Sequence, residues 1–287
     1  HAHVDRMPMY FQQGPAVFKG SARDASMLRR WLRAAGFALF AAGLVSAVAL
    51  AWSEYRDRQV LRQIAEKVTS GIESPGDRLS ALNSWFYGNQ GFARNRSYFG
   101  LAQLGPTPIQ VLEQGGDCAD KSRLLSAMLE TLGVRSSLAM LYPCIACPPV
   151  HTVVVADLGS TKTLVDPVFD ITFPRPEGGY FSVDELVQEP WLLIERLQVL
   201  RAERGPRDKI IFYRADNHRF DYLTTINWHA NELTRIVAKG VRALGGEPND
   251  VFRPMWLENP KRALTYAALI MALTGVATAL TAGWRRK

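Results

Sequence analysis

The 287-residue sequence holds only three cysteines, no internal repeat and no low-complexity segment. A structural zinc wants four ligands; Cys144 and Cys147 have only His151 close by, and the third cysteine lies apart from them. Charge is missing altogether from two stretches. Ala34–Trp52 and Ala263–Trp284 contain no Asp, Glu, Lys or Arg, and each has about the 20 residues that span a bilayer as a helix. The stretch between them lacks a basic excess. It carries 23 basic and 25 acidic residues from Ser53 to Pro260, against six and two before Ala34 and five and none after Pro260. The net charge of +7 therefore belongs to the flanks of the apolar runs, and the middle segment has no electrostatic footprint for nucleic acid.

Those flanks set an expected topology. Arg23, Arg29, Arg30 and Arg33 precede the first run and Arg285, Arg286 and Lys287 follow the second, which by the positive-inside rule places both termini in the cytoplasm. Lys261 and Arg262 pull the other way. The expectation is a two-pass inner-membrane protein: a cytoplasmic tail over 1–33, membrane helices over 34–52 and 263–284, a periplasmic domain over 53–260 and a cytoplasmic end over 285–287. A cleaved signal peptide is the other reading of the first run, with Ala49-Leu50-Ala51 as its cleavage site. The run exceeds the usual apolar core of about 7–15 residues, and Trp31 and Trp52 sit where interfacial aromatics belong, which favours an anchor. A lipid bilayer is thus a partner. Gly43, Ala47 and Ala51, and Gly275, Ala279 and Gly283, recur every four residues; such faces would let the helices pack with each other or with other membrane proteins, although alanine-rich spans give the same pattern.

Within the middle segment, Val60, Leu61, Ile64 and Val68 continue the first helix until Ser74-Pro75-Gly76 breaks it. Leu79, Leu82, Trp85 and Phe86 mark a second helix, and Pro106–Gln114 a further turn of helix. From Asp117 onward Leu124, Leu125, Met128, Leu129 and Leu132 recur at helical spacing, with Asp117 as N-cap and Gly133 as stop. Cys118 falls in the first turn of this helix, where unpaired backbone N–H groups and the positive end of the helix dipole favour a thiolate. Taken alone, a cysteine is more often a small core residue.

A cysteine nucleophile needs a base and a group to orient it. His151 opens a Val-rich strand, Gly159-Ser160 is a turn signal, and Thr163–Asp166 is apolar again, which reads as a hairpin. Centred between Leu158 and Gly159, its register sets His151 opposite Asp166, close enough for a hydrogen bond. Asp120 and Lys121 read as a solvated first turn or local salt bridge. His218, in a turn of an expected hairpin between 209–215 and 219–224, and His229, at a helix start, are other possible bases, but their positions favour surface or capping roles. Further on, Leu233, Ile236, Val237, Val241 and Leu244 form the apolar face of a helix closed by Gly245-Gly246.

Cys144-x-x-Cys147 sits just before His151. An oxidising compartment favours a disulfide; two free thiols and a metal site are the alternatives.

The order Cys, His, Asp, carried by Gly116-Asp117-Cys118-Ala119-Asp120-Lys121, by His151 at the head of its strand and by Asp166-Pro167, resembles the transglutaminase-like branch of the papain-like cysteine protease superfamily, in its bacterial membrane-anchored form. The resemblance covers roughly Leu79 to Phe173. It implies an α+β fold, with the cysteine helix packed on an antiparallel sheet and, here, one transmembrane helix at each end. It also implies Cys118 as nucleophile, His151 as base and Asp166 as orienting carboxylate. Many members carry an aromatic soon after the cysteine, where this chain has Ala119 and Lys121, so the implied activity is a thiol hydrolase or acyltransferase on a peptide or amide bond rather than protein crosslinking. The substrate would be a protein or peptide, with no cofactor and no metal. The oxyanion would be met by the N–H of Cys118 and one further donor, Gln114, Trp85 or Tyr98. The rival is a non-enzymatic structural or assembly subunit of a membrane complex that keeps the fold.

Overall fold

A computed structural model describes residues 22–89, 98–100, 104–144, 147–216, 219–229, 231–248, 251 and 258–284. The chain is α+β. Its helices are α1 (Ala22–Val68), α2 (Pro75–Asn89), α3 (Pro108–Gln114), α4 (Cys118–Thr131), α5 (Val183–Gln188), α6 (Trp191–Arg204), α7 (Glu232–Ala243) and α8 (Pro260–Gly283). The strands β1 (Arg135–Tyr142), β2 (His151–Asp157), β3 (Lys162–Asp166), β4 (Ile171–Thr172) and β5 (Arg219–Thr224) form an antiparallel sheet in the order β4-β3-β2-β1-β5.

The chain divides into two compact units, Ser46–Ala267 and a smaller one drawn from His1–Val45 and Ala268–Lys287. The boundaries fall inside α1 and α8. In the smaller unit the two helices meet at backbone distance: a Cβ added to Gly36 would lie 2.7 Å from the carbonyl oxygen of Gly275, the close approach that small residues allow. Of the expected Gly43, Ala47 and Ala51, Gly43 meets the second helix and Ala47 is buried, whereas Ala51 is exposed; Gly36, two turns before Gly43, makes the further close approach. Two stretches, Ser26–Val68 and Pro260–Gly283, are long and apolar enough to cross a membrane.

In the larger unit the sheet separates two cores. Strand periodicity sends Val154, Ala156 and Val165 to one face, where they pack with Leu79, Leu82 and Phe86 of α2, Leu124, Leu125, Met128 and Leu129 of α4, and Leu61 and Ala65 of α1. Ala139, Leu141, Val153, Val155 and Leu164 point to the other face, against α5, α6, Ile210, Tyr213 and Phe220. Burying each of these large side chains stabilises the fold by about 1.5–3 kcal/mol before the entropy of ordering is set against it. Arg262 bonds Glu54 of α1 at 2.8 Å and Glu130 of α4 at 3.1 Å, and Lys261 pairs with Asp57. The two cations that oppose the expected topology are therefore partnered by carboxylates.

Two local expectations are corrected. Residues 209–215 and 219–224 do not form a hairpin. Asp208 accepts the N–H of Ile210 at 2.8 Å and winds Lys209–Phe212 into a 3-10 turn, while β5 pairs with β1. The β2–β3 turn is centred between Gly159 and Ser160, closed by the Leu158 N–H on the Thr161 carbonyl at 2.9 Å, so Val154 faces Val165 and Asp157 faces Lys162. The register is thus two residues away from the expected one, and His151 sits opposite Leu141 on its other side.

Candidate functional site

Cys118 is the first residue of α4. Asp117 caps the helix, its carboxylate accepting the N–H groups of Ala119 at 2.9 Å and Asp120 at 3.1 Å. Asp120 reaches back to the N–H of Asp117 at 3.4 Å, which completes a reciprocal capping box. This cap leaves the N–H of Cys118 out of its bonding. Gly116 is needed for the same geometry, since a Cβ there would lie 2.4 Å from the Asp120 Cβ. Behind the cysteine the helix drives inward: Leu124, Leu125, Met128 and Leu129 are fully buried, and Ser122 bonds the Thr152 carbonyl of β2 at 3.1 Å. The thiol is thus held half-buried at the end of a helix that has little freedom to move.

His151 and Asp166 are brought together despite the register change. A shift of two residues preserves the face of a strand, so the two become diagonal neighbours, and His151 Nε2 lies 2.7 Å from Asp166 Oδ2. Both are buried, at 5% and 3% exposure. The other carboxylate oxygen, Oδ1, accepts the N–H groups of Val168 at 2.8 Å and Phe169 at 3.2 Å. Asp166 is therefore clamped by its own turn with one oxygen turned to the imidazole. Cys118 lies close enough to His151 to act on its titration by a side-chain hydrogen bond and by charge. Burial alone would lower the pKa of the imidazole; the charge and hydrogen bond of Asp166, joined by those of Cys118, overcome it and raise the value to about 10. His151 is accordingly held protonated at neutral pH.

Sequence reasoning missed the walls of this site. Phe169 and Tyr213 stand edge-on to the His151 ring at 5.7 and 6.3 Å and to one another at 5.0 Å. Burial, with the charge of Asp166, pushes the Tyr213 phenol well above its ordinary value. Asp170, next to Phe169, takes a positive φ of 50°. Its carboxylate accepts from Asn83 at 2.9 Å, Ser84 at 3.0 Å and Arg204 at 2.8 Å, while Arg204 also bonds the Phe169 carbonyl at 2.9 Å. The loop after Asp166 is thereby tied to α2 and α6. An Asp followed by a tight turn is a sequence signal for such self-bonding; nothing local marks Tyr213 or Arg204.

The first turn of α4 is not solvated. Asp120 is 6% exposed and pairs with Arg123 at 2.9 Å, and Arg123 in turn bonds buried Glu258 at 2.9 Å. Lys121 is 2% exposed; burial and the charge of Lys209 pull its pKa down to about 8 against the opposing charge of Asp166.

Of the oxyanion candidates, Gln114 ends α3 on the exposed side, Trp85 packs edge-on to Phe86 at 5.3 Å against the α4 core, and Tyr98 is 43% exposed. His229 is an exposed residue, and His218 lies outside the described residues. Cys144 and Cys147 are bonded to each other in the β1–β2 connection, immediately before His151. No group of three or more metal-ligating side chains occurs among the described residues.

No family model and no curated protein matches the chain. Among solved structures, 40% of it is similar to a candidate cysteine protease from Cytophaga hutchinsonii, at 20% identity and a TM-score of 0.34. A second, a candidate protease from Parabacteroides distasonis, is similar over 48% at 15% identity and a TM-score of 0.29. The chain spans 39% and 30% of those two proteins. At these TM-scores the likeness decides neither fold nor function.

Proposed function

We propose that this protein is a membrane-anchored thiol hydrolase or acyltransferase with a transglutaminase-like core, acting on a peptide or amide bond on the periplasmic side through Cys118, His151 and Asp166. One observation carries the reading: a buried imidazole bonds a clamped carboxylate at 2.7 Å and lies within interaction range of the cysteine that opens α4. His151 takes the proton of the Cys118 thiol, and the sulfur is the nucleophile. Cys118 Sγ attacks the carbonyl carbon and the C–S bond forms. The tetrahedral oxyanion is met by the N–H of Cys118, which the Asp117 cap does not use, and by one of Gln114, Trp85 or Tyr98. As the C–N bond breaks, His151 gives its proton to the departing amine. Water or a second amine then attacks the thioester, losing its proton to His151; the C–S bond breaks, the acyl product leaves and the sulfur is released with that proton still held on His151. Asp166 holds the ring in place throughout.

The orientation rests on the arginines flanking the two apolar stretches and on the pairing of Lys261 and Arg262 with Asp57, Glu54 and Glu130. The test is a peptidyl electrophile directed at thiols, applied to the full-length protein in detergent and mapped by mass spectrometry. Stoichiometric modification of Cys118 in the wild type and little in His151→Ala is expected. Slow modification, equal in both, would leave the non-enzymatic subunit as the better reading.

A further inference from the structure

Helix α7 presents an apolar face to solvent. Leu233, Ile236, Val237 and Leu244 are 70%, 62%, 47% and 91% exposed, whereas Ala238 is 3% exposed. At 100° per residue the helix has three sectors. Ala238, with half-buried Thr234 and Val241, turns towards the protein. Leu233, Ile236, Val237, Gly240 and Leu244 share an arc of about 100°, the width of a complete amphipathic stripe. Arg235, Lys239 and Arg242, with Glu232 paired to Arg235 at 2.8 Å, fill the remaining arc. The helix is thus attached by a narrow edge, with its stripe left uncovered, and contiguous exposed apolar patches of this kind mark binding surfaces.

Two features select the occupant. The polar arc carries three cations and one carboxylate, the distribution of helices that lie in the interface of anionic bilayers. The chain also returns, 16 residues after Leu244, to α8, whose length and composition suit a membrane span. Even fully extended, that connector holds the end of α7 within about 60 Å of the start of α8. We propose that α7 is an interfacial helix: Leu233, Ile236, Val237 and Leu244 lie in the headgroup–acyl boundary of the membrane that α8 spans, and Arg235, Lys239 and Arg242 engage anionic lipid headgroups. The inference rests on the membrane-anchored reading, and its test separates the two.

The full-length protein, with Cys118 changed to serine, is reconstituted in nanodiscs of phosphatidylcholine with and without phosphatidylglycerol. Nitroxides are placed singly through Ile236→Cys, Lys239→Cys and, in α8, Leu273→Cys, and their relaxation by oxygen and by a water-soluble nickel chelate is compared. The labels at 236 and 273 should respond to oxygen and be shielded from nickel, and the label at 239 should do the reverse. Omitting phosphatidylglycerol should raise the nickel response at 236 several-fold. A lipid-like signal at 273 with a water-like signal at 236 overturns the interfacial helix alone. Shielding of 236 from both reagents assigns the face to a protein partner or a second copy and also overturns it. A water-like signal at 273 removes the membrane anchor and this inference with it.

Discussion

Helices α4 and α7 are of similar length, 14 and 12 residues, and both repeat leucine, isoleucine, valine or methionine at helical spacing, yet their stripes have opposite fates. The stripe of α4 is fully buried against β2 and α2; that of α7 faces outward. Periodicity reports that a helix has an apolar face. It does not report what covers it, because the covering elements come from distant parts of the chain. The flanking charge is the distinguishing sign. Around α4 the charged groups are turned into the structure and paired, as in Asp120–Arg123–Glu258, whereas in α7 the basic residues form an exposed arc beside the stripe.

The contrast can be broken most sharply at the chemical end of α4. His151→Ala should lower acyl transfer by on the order of 10⁴-fold, combining lost proton transfer with a poorer nucleophile. Asp166→Asn should cost on the order of 10²–10⁴-fold with the fold retained. An asparagine that keeps its oxygen on the N–H groups of Val168 and Phe169 turns its NH₂ towards His151 and imposes the wrong tautomer. Steady-state rates on a fluorogenic peptide amide, with circular dichroism as the folding control, check both. No substitution in α7 should change the chemical step on a soluble substrate.

Next in size is packing. Leu125→Ala removes a fully buried side chain of α4 and should destabilise by about 2–5 kcal/mol, whereas Ile236→Ala in α7 should stay within about 0.5 kcal/mol, both by urea denaturation in detergent. Equal losses would mean that the face of α7 belongs to a core. A smaller effect should come from the clamp on the Asp166 loop: Arg204→Met removes charged hydrogen bonds to Phe169 and Asp170 and should cost about 1–3 kcal/mol.

The pH dependence has a defined sign. The pKa of His151 is raised from an ordinary value near 6.5 to about 10, so the stabilisation it provides is complete below about pH 6.5 and is lost as pH rises towards 10. The melting temperature of the wild type should fall across that window. In Asp166→Asn, without the carboxylate, the fall should be largely removed.

Much of the site was legible in the sequence because its signals are local: the Gly-Asp cap before Cys118, the Val-rich strand opened by His151 and the Asp-Pro that ends the next one. The register of the β2–β3 turn was not, since Gly159-Ser160 permits more than one loop. The slip of two residues still kept His151 and Asp166 on one face, because side chains alternate with a period of two. The burial of Lys121, the aromatic walls from Phe169 and Tyr213 and the pairing of β5 with β1 all depend on contacts between distant segments, and no local pattern encodes them.

If Cys118 and His151 act as one unit, the rate at which iodoacetamide alkylates Cys118 at pH 6 and at pH 9, measured by intact mass in the wild type and in His151→Ala, will show it. A free thiol, with its pKa of about 8.5, is almost unreactive at the lower pH. The wild type should be alkylated many-fold faster than His151→Ala at pH 6, with a smaller difference at pH 9. A steep rise from pH 6 to pH 9 in the wild type, unchanged by His151→Ala, would contradict it.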